Sequence, residues 1–173
     1  QVNARNIIFL PNNKNIIMAA EQAAQVAEVP TVVVPTTTIP QGITAMMAFD
    51  ASLDLEANGA QMNESRDFVQ SGQITYSIRD TEIDGVSIKK DDYLGVVNNK
   101  IVLSLPDLKD ALLATLEAMV DEDSELATII VGEEGTTELA DEVAERLTDK
   151  FNDLEVEIVQ GDQPVYHYMM SVE

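Results

Sequence analysis

The sequence has no cysteine, no tryptophan and one histidine among 173 residues, and its 10 basic side chains face 31 acidic ones, a formal net charge of −21 at pH 7. Each scarcity excludes a class of chemistry. Without cysteine there is no disulfide and no thiolate metal site, which fits a reducing compartment and sets a cytoplasmic expectation. With His167 as the one imidazole, a zinc centre lacks its usual ligand set, so no metal site is expected. A Ser-His-Asp arrangement would have to use that same residue, and no Gly-x-Ser-x-Gly elbow is present to carry a serine. The acidic excess repels phosphate backbones and anionic headgroups, which argues against nucleic acid as a partner. No apolar run approaches the ~20 residues that cross a bilayer, so no membrane insertion is expected. The start, Gln1-Val2-Asn3-Ala4-Arg5, lacks the basic-then-apolar order of a secretory signal.

What is present is an apolar fraction of 45%, enough for an aliphatic core in one domain. The charge is unevenly spread. Residues 1–104 hold 7 basic and 12 acidic residues, whereas residues 105–173 hold 3 and 19, so the net values are −5 and −16. The acidic third also carries strong apolar periodicity, which a disordered acidic tail would lack.

Residues 1–70 read as an α/β lobe. Ile7-Ile8-Phe9-Leu10 and Thr31-Val32-Val33-Val34 are short continuous apolar runs, the pattern of strands buried on both faces, and Pro11 and Pro35 end them. Between them, Asn15 to Val26 is Ala-rich with helical spacing and Asn13 as its cap, which makes a βαβ unit. Helical segments follow at Gln41 to Phe49 and Ser52 to Val69, with Gly59 weakening the second. Residues 71–104 switch to alternation and read as an antiparallel β-meander, with turns at Asp84-Gly85 and Asn98-Asn99. Residues 105–173 return to α/β order. Leu108, Leu112, Leu116 and Val120 mark one helix, Leu139, Val143, Leu147 and Phe151 another; Leu126 to Val131, Leu154 to Val159 and Val165 to Val172 are strands. The expected class is α/β with a mixed sheet.

Four places invite a chemical reading. Asp121-Glu122-Asp123-Ser124-Glu125 begins like a calcium loop, but Leu126 replaces the required glycine and Gly132 the required glutamate. Gly132-Glu133-Glu134-Gly135-Thr136-Thr137 links a strand to a helix; it lacks the Gly-Lys-Ser/Thr ending of a phosphate loop, and its carboxylates oppose an anion, so Thr136 reads as a helix cap. His167, between Tyr166 and Tyr168 in a strand, reads as a structural or surface residue facing away from both tyrosines. The neutral loop from Pro35 to Gly42 leaves the C-terminal end of a strand and enters a helix, where open α/β sheets place ligands. Its Thr36, Thr37, Thr38, Gln41 and Gly42, flanked by Asn12, Asn13 and Lys14 after the neighbouring strand, form a candidate site for a carboxylate or phosphate. Nothing supplies magnesium carboxylates, a phosphate clamp and a base together, so no catalytic residue is expected in this chain.

The segments Ile8-Phe9-Leu10-Pro11-Asn12-Asn13-Lys14-Asn15-Ile16, Val34-Pro35-Thr36-Thr37-Thr38-Ile39-Pro40-Gln41-Gly42, Ser71-Gly72-Gln73-Ile74-Thr75-Tyr76 through Asp80-Thr81-Glu82-Ile83-Asp84-Gly85, and Gly161-Asp162-Gln163-Pro164-Val165-Tyr166 resemble, in order, the C-terminal domain of bacterial fatty acid kinase A, a dihydroxyacetone-kinase-like, YloV-like family. The resemblance implies a DegV-like fold for a single C-terminal domain fragment of a larger kinase. It implies ATP and magnesium in a separate nucleotide-binding domain and no cofactor in this chain. Its implied partner is a DegV-like protein presenting a bound fatty acid for phosphorylation. The family's domain begins with an earlier strand and helix, so Gln1-Val2-Asn3 is expected to enter partway through it. The expected function is non-catalytic docking of that partner, with Tyr166 and Tyr168 on the last strand as candidate contacts and a homodimer left open. The alternative is a small-ligand domain binding fatty acid or phosphate through residues 35–42.

Overall fold

A computed structural model describes residues 3–173, so the expected entry at Gln1-Val2 lies outside the described residues. The chain divides into two units, with the boundary between Val69 and Gln70.

In the first unit, β1 (Ile7–Phe9) and β2 (Thr31–Val33) pair in parallel, Ile7 opposite Thr31 and Phe9 opposite Val33, with α1 (Ile17–Gln25) between them in the chain. This is the expected βαβ unit, but its strands are shorter and only half-buried, and Phe9 is exposed. A two-stranded sheet cannot cover both of its own faces. Helix α1 also starts later than expected, because Asn13 Oδ1 accepts from the Asn15 N–H at 2.9 Å in a local turn and does not cap the helix. Helix α2 (Ile39–Met47) opens on Thr38 and Pro40, and α3 (Leu55–Ser65) on Asp54, which accepts from the Ala57 N–H at 2.8 Å. Gly59 does not interrupt α3; it is buried against Val32. The expected helix up to Val69 ends instead in a 3₁₀ turn at Arg66–Phe68. Val34, Ala45 and Met62 make a small core with Ile8, Leu10 and Ala48 packed on it.

The second unit holds β3 (Gln70–Tyr76), β4 (Thr81–Ile83), β5 (Val86–Ile88), β6 (Tyr93–Val97), β7 (Lys100–Leu105), α4 (Leu108–Glu117), β8 (Leu126–Val131), α5 (Thr137–Lys150), β9 (Glu155–Gln160) and β10 (Tyr168–Val172). Six of these strands form one sheet in the order β7-β6-β3-β10-β8-β9. The turns have the expected chemistry. Asp84 and Gly85 take φ of 56° and 81° in the β4–β5 hairpin, and Asn98 and Asn99 take 47° and 65° between β6 and β7, the left-handed pairs that tight hairpins need. The meander is not a separate layer, however. The β4–β5 hairpin stands apart as its own two-stranded sheet, and β3 pairs antiparallel with β10, which pairs antiparallel with β8 on its other side. The C-terminal strand therefore stitches residues 70–105 to the acidic α/β segment, whose β8 and β9 are parallel.

Helix α4 packs on β6 and β7, α5 on β8 and β9, and the two helices touch each other. Their apolar stripes follow the helical period: Leu112 and Leu116 from α4, Ala140, Val143 and Leu147 from α5 are fully buried against Ile74, Ile129, Val131 and Met170. Each large side chain among them contributes about 1.5–3 kcal/mol. The carboxylates of α5 stay at the surface, and two of the unit's cations are paired there, Lys109 with Glu142 and Lys150 with Glu117.

Candidate functional site

In the first unit the loop after β2 folds onto the loop after β1. Asn12 adopts a left-handed φ of 53°, which points its side chain at residue 36. The Thr36 hydroxyl donates to Asn12 Oδ1 at 2.8 Å and accepts from the Asn12 N–H at 3.1 Å, and Thr36 is fully buried. Gly42 sits against the same amide; a Cβ there would lie 2.2 Å from Asn12 Oδ1. Gln41 reaches back to take the Thr37 N–H at 2.8 Å and the Thr37 hydroxyl at 3.0 Å, while Thr38 Oγ1 accepts the Gln41 N–H at 3.3 Å. Asn12, Thr36 and Gly42 thus come together, and so do Thr37, Thr38 and Gln41. Their polar groups close the loop on itself. Asn13 and Lys14 are exposed.

The same unit has an apolar cavity of about 520 Å³ lined by Ile8, Leu10, Met46, Phe49, Leu55 and Met62. Asn58 at its wall is buried and fully engaged, accepting from the Asp50 N–H and donating to the Asp50, Leu53 and Asp54 carbonyls. No residue of the 35–42 loop lines this cavity.

In the second unit, one end of the sheet gathers the C-terminal end of β3, the N-terminal ends of β6 and β10, and the loop that leaves β8. The expected strand from Val165 starts only at Tyr168. Asp162 and Val165 take φ of 51° and 75°, so the segment from Gly161 to His167 is a bent loop and not extended chain. A left-handed conformation at a β-branched residue is strained by about 1–3 kcal/mol. The loop is held by the Gln163 carbonyl accepting from Glu133 N–H at 3.1 Å, the His167 carbonyl accepting from Gly132 N–H at 2.9 Å, and Gln163 Nε2 donating to the Ile130 carbonyl at 3.1 Å. Only glycine fits at position 132, because a Cβ would lie 2.1 Å from the Tyr166 carbonyl oxygen.

Tyr168 corrects an expectation. It is fully buried, and its hydroxyl accepts from the Thr136 N–H at 2.8 Å and donates to the Thr136 carbonyl at 2.9 Å. A side chain bonded twice inside the unit cannot be a surface contact, so Tyr168 ties the β8–α5 loop to β10. Tyr166 is half-buried in the bent loop. Thr136 caps α5 as expected, accepting from the Leu139 N–H at 3.3 Å.

His167 is a core residue, 7% exposed, with Tyr76 and Tyr93 meeting its ring edge-on at 6.0 and 5.3 Å. Burial holds its imidazole below the ordinary histidine value, and the Glu134 carboxylate, 3.5 Å from Nε2, acts in the opposite direction. His167 Nδ1 and Gln163 Oε1 are the two buried side-chain polar atoms without a hydrogen-bond partner among the described residues. Beside this histidine runs a groove of about 450 Å³ lined by Tyr76, Ile78, Glu133, Glu134, Pro164 and Val165. The sequence motifs do not reveal it. The Gly132 to Gly135 segment is the available signal, but the groove depends on β10 lying between β3 and β8, which no local pattern shows.

Among the described residues no group of three or more His, Asp or Glu stands where it could hold a metal ion, and no helix is long and apolar enough to cross a membrane.

Known proteins resemble this chain in sequence or in fold. The family model for the C-terminal domain of fatty acid kinase A-like (FakA-like) proteins matches residues 1–173. An uncharacterized protein of Staphylococcus aureus strain USA300 is 44% identical over 173 residues, which are 100% of this chain and 32% of that protein; the relative in strain MRSA252 has the same identity and coverage. The chain therefore spans about a third of the length of these relatives. Among solved structures, a DegV family protein from Eubacterium eligens loaded with heptadecanoic acid superimposes with a TM-score of 0.64 at 12% identity, over 99% of this chain and 74% of that one. The Streptococcus pneumoniae fatty acid kinase B3 protein loaded with linoleic acid gives 0.63 at 9% identity, over 99% and 72%. At such identities the likeness is one of fold, and the fold is DegV-like, as the motifs implied.

Proposed function

Because this chain belongs to the FakA-like C-terminal family of fatty acid kinase proteins, we propose that it is the non-catalytic docking domain of a bacterial fatty acid kinase. It engages a DegV-like fatty-acid-binding protein so that the carboxylate of the bound fatty acid reaches the kinase domain, which uses ATP and magnesium and is not among these residues. The observation that carries the reading is the family match over residues 1–173. Two others support it. The chain is 32% of its S. aureus relatives, which leaves room for a kinase domain elsewhere in such proteins. The Thr36 and Thr37 hydroxyls and the Thr37 N–H are already engaged by Asn12 and Gln41, which takes up donors that an anion or a transferred phosphoryl group would need.

A second reading, a domain that itself binds fatty acid, is favoured by the apolar cavity beside Met46 and Phe49. Titration calorimetry separates the two. Docking predicts saturable binding of a fatty-acid-loaded DegV-family protein from the same genome, no heat with the fatty acid alone and no ATP turnover by this chain. Fatty acid binding without protein binding would favour the second reading, and ATP turnover would overturn the non-catalytic assignment.

A further inference from the structure

The docking reading leaves open where the partner sits, and the second unit gives a specific answer that rests on that reading. We propose that the groove bordered by Tyr76, Ile78, Glu133, Glu134 and Val165 is the docking surface for the DegV-like partner, and that it receives an arginine or lysine side chain flanked by apolar residues.

Within the second unit, apolar exposure is concentrated there. Six large apolar side chains of the second unit are exposed, and the three most exposed, Ile78 at 74%, Val165 at 64% and Tyr76 at 48%, all line this groove. Contiguous apolar exposure of this kind marks a contact surface, whereas scattered single residues do not. The charge of the lining sets the sign of the occupant. It carries two carboxylates and no basic side chain. Elsewhere on the unit carboxylates have lysine partners, Glu142 with Lys109 and Glu117 with Lys150, but the ion-pair contact of Glu134 is the buried His167. With two carboxylates and no basic side chain in its lining, the groove is complementary to a cation on a partner.

The groove is backed by a fixed, buried side chain. His167 is nine-tenths buried, its Nδ1 has no partner, and its ring is fixed by Tyr76, itself a lining residue, and by Tyr93. The bent loop turns Val165 outward in a conformation that a β-branched residue rarely adopts. An arginine stem lying on Val165 and Ile78 places its guanidinium at Glu133 and Glu134 and over the Tyr76 ring.

The test measures binding of the fatty-acid-loaded DegV-family protein to this chain by calorimetry at low and high salt. The double variant Glu133→Gln with Glu134→Gln is expected to weaken binding about tenfold or more and to reduce its salt dependence. Ile78→Asp, at an exposed position, is expected to abolish it, and the α5 surface double variant Glu138→Gln with Asp141→Asn is expected to leave it unchanged. Because His167 is the one histidine of this chain and touches the lining residues Glu134 and Tyr76, its ring proton resonance should shift as partner is added. Wild-type binding that neither groove variant alters, with no shift at His167, overturns this assignment while leaving the docking function intact. Absence of wild-type binding at either salt concentration overturns the docking function and this site with it.

Discussion

Thr36 and Asn12 form a reciprocal pair: the threonine hydroxyl donates to the asparagine Oδ1 at 2.8 Å and accepts the asparagine N–H at 3.1 Å, 24 residues away in the chain. That pair locks the two loops that follow β1 and β2. Thr36→Val keeps the shape and deletes both bonds, leaving the Asn12 amide without its hydroxyl partner beside a fully buried position. The expected loss is about 1–3 kcal/mol in urea unfolding followed in the first unit. Thr36→Ser should recover most of it, since the hydroxyl returns. Equal stability of the valine variant would show that the pair does not hold the loops.

Gly132 bears on the second unit in the same way. A Cβ there would meet the Tyr166 carbonyl oxygen, a backbone atom fixed by the surrounding hydrogen bonds, so the clash cannot be relieved by turning a side chain. Gly132→Ala is expected to cost about 3 kcal/mol, at the top of the usual range for overpacking, and to lower the melting temperature accordingly. A variant that melts with the wild type would mean the loop yields easily.

These two loops show what local pattern reveals and what it does not. Strand β8 falls at Leu126–Val131, where the apolar run predicts it, and Leu112, Leu116, Val143 and Leu147 lie on the buried faces their spacing assigns. The hairpin signals Asp84-Gly85 and Asn98-Asn99 are read as easily, because a left-handed φ is a property of those residues themselves. Tyr168 is different. Its burial follows from β10 lying between β3 and β8, pairings that have no local signature, the one with β3 reaching across about half the chain. The run Tyr168-Met169-Met170, buried on both faces, is the one local clue to a central strand. The candidate loop is legible as a loop, but whether its hydroxyls face a ligand or each other depends on Asn12, which sequence spacing cannot place against Thr36.

His167 gives the chain a pH dependence of defined sign. Burial lowers its pKa from 6.5, so the unfolded chain takes up a proton before the native state does. Stability therefore falls as pH drops through about 6.5 toward the lower native value, and is flat above that window. The groups facing the ring are Glu134, which opposes the shift, and the rings of Tyr76 and Tyr93. The shifted carboxylates, Asp50 and Glu142, titrate below their ordinary values of 3.8 and 4.5 and stay charged through this range. The melting temperature should drop between about pH 7.5 and about pH 5.5, and His167→Phe, which can fill the space between the tyrosines, should remove most of that drop. Identical pH profiles for the two proteins would contradict the assignment.

Val165 separates strain kept for binding from strain that is incidental. Its φ of 75° disfavours a β-branched side chain, and with 64% of the residue exposed the isopropyl group returns little burial energy for that conformation. Glycine adopts the same backbone without the clash, at an added chain-entropy cost of about 0.5–1 kcal/mol. Val165→Gly should therefore leave the protein as stable as the wild type or up to about 2.5 kcal/mol more stable, by the difference between strain relieved and entropy added. The same substitution deletes an apolar wall of the groove, so it should weaken binding of the DegV-like partner while the melting temperature holds or rises. Stability and affinity moving in opposite directions would mark Val165 as a residue held in place for contact. A glycine variant that binds as tightly as the wild type would mean that the isopropyl group contributes nothing to docking and that the bend alone shapes the groove.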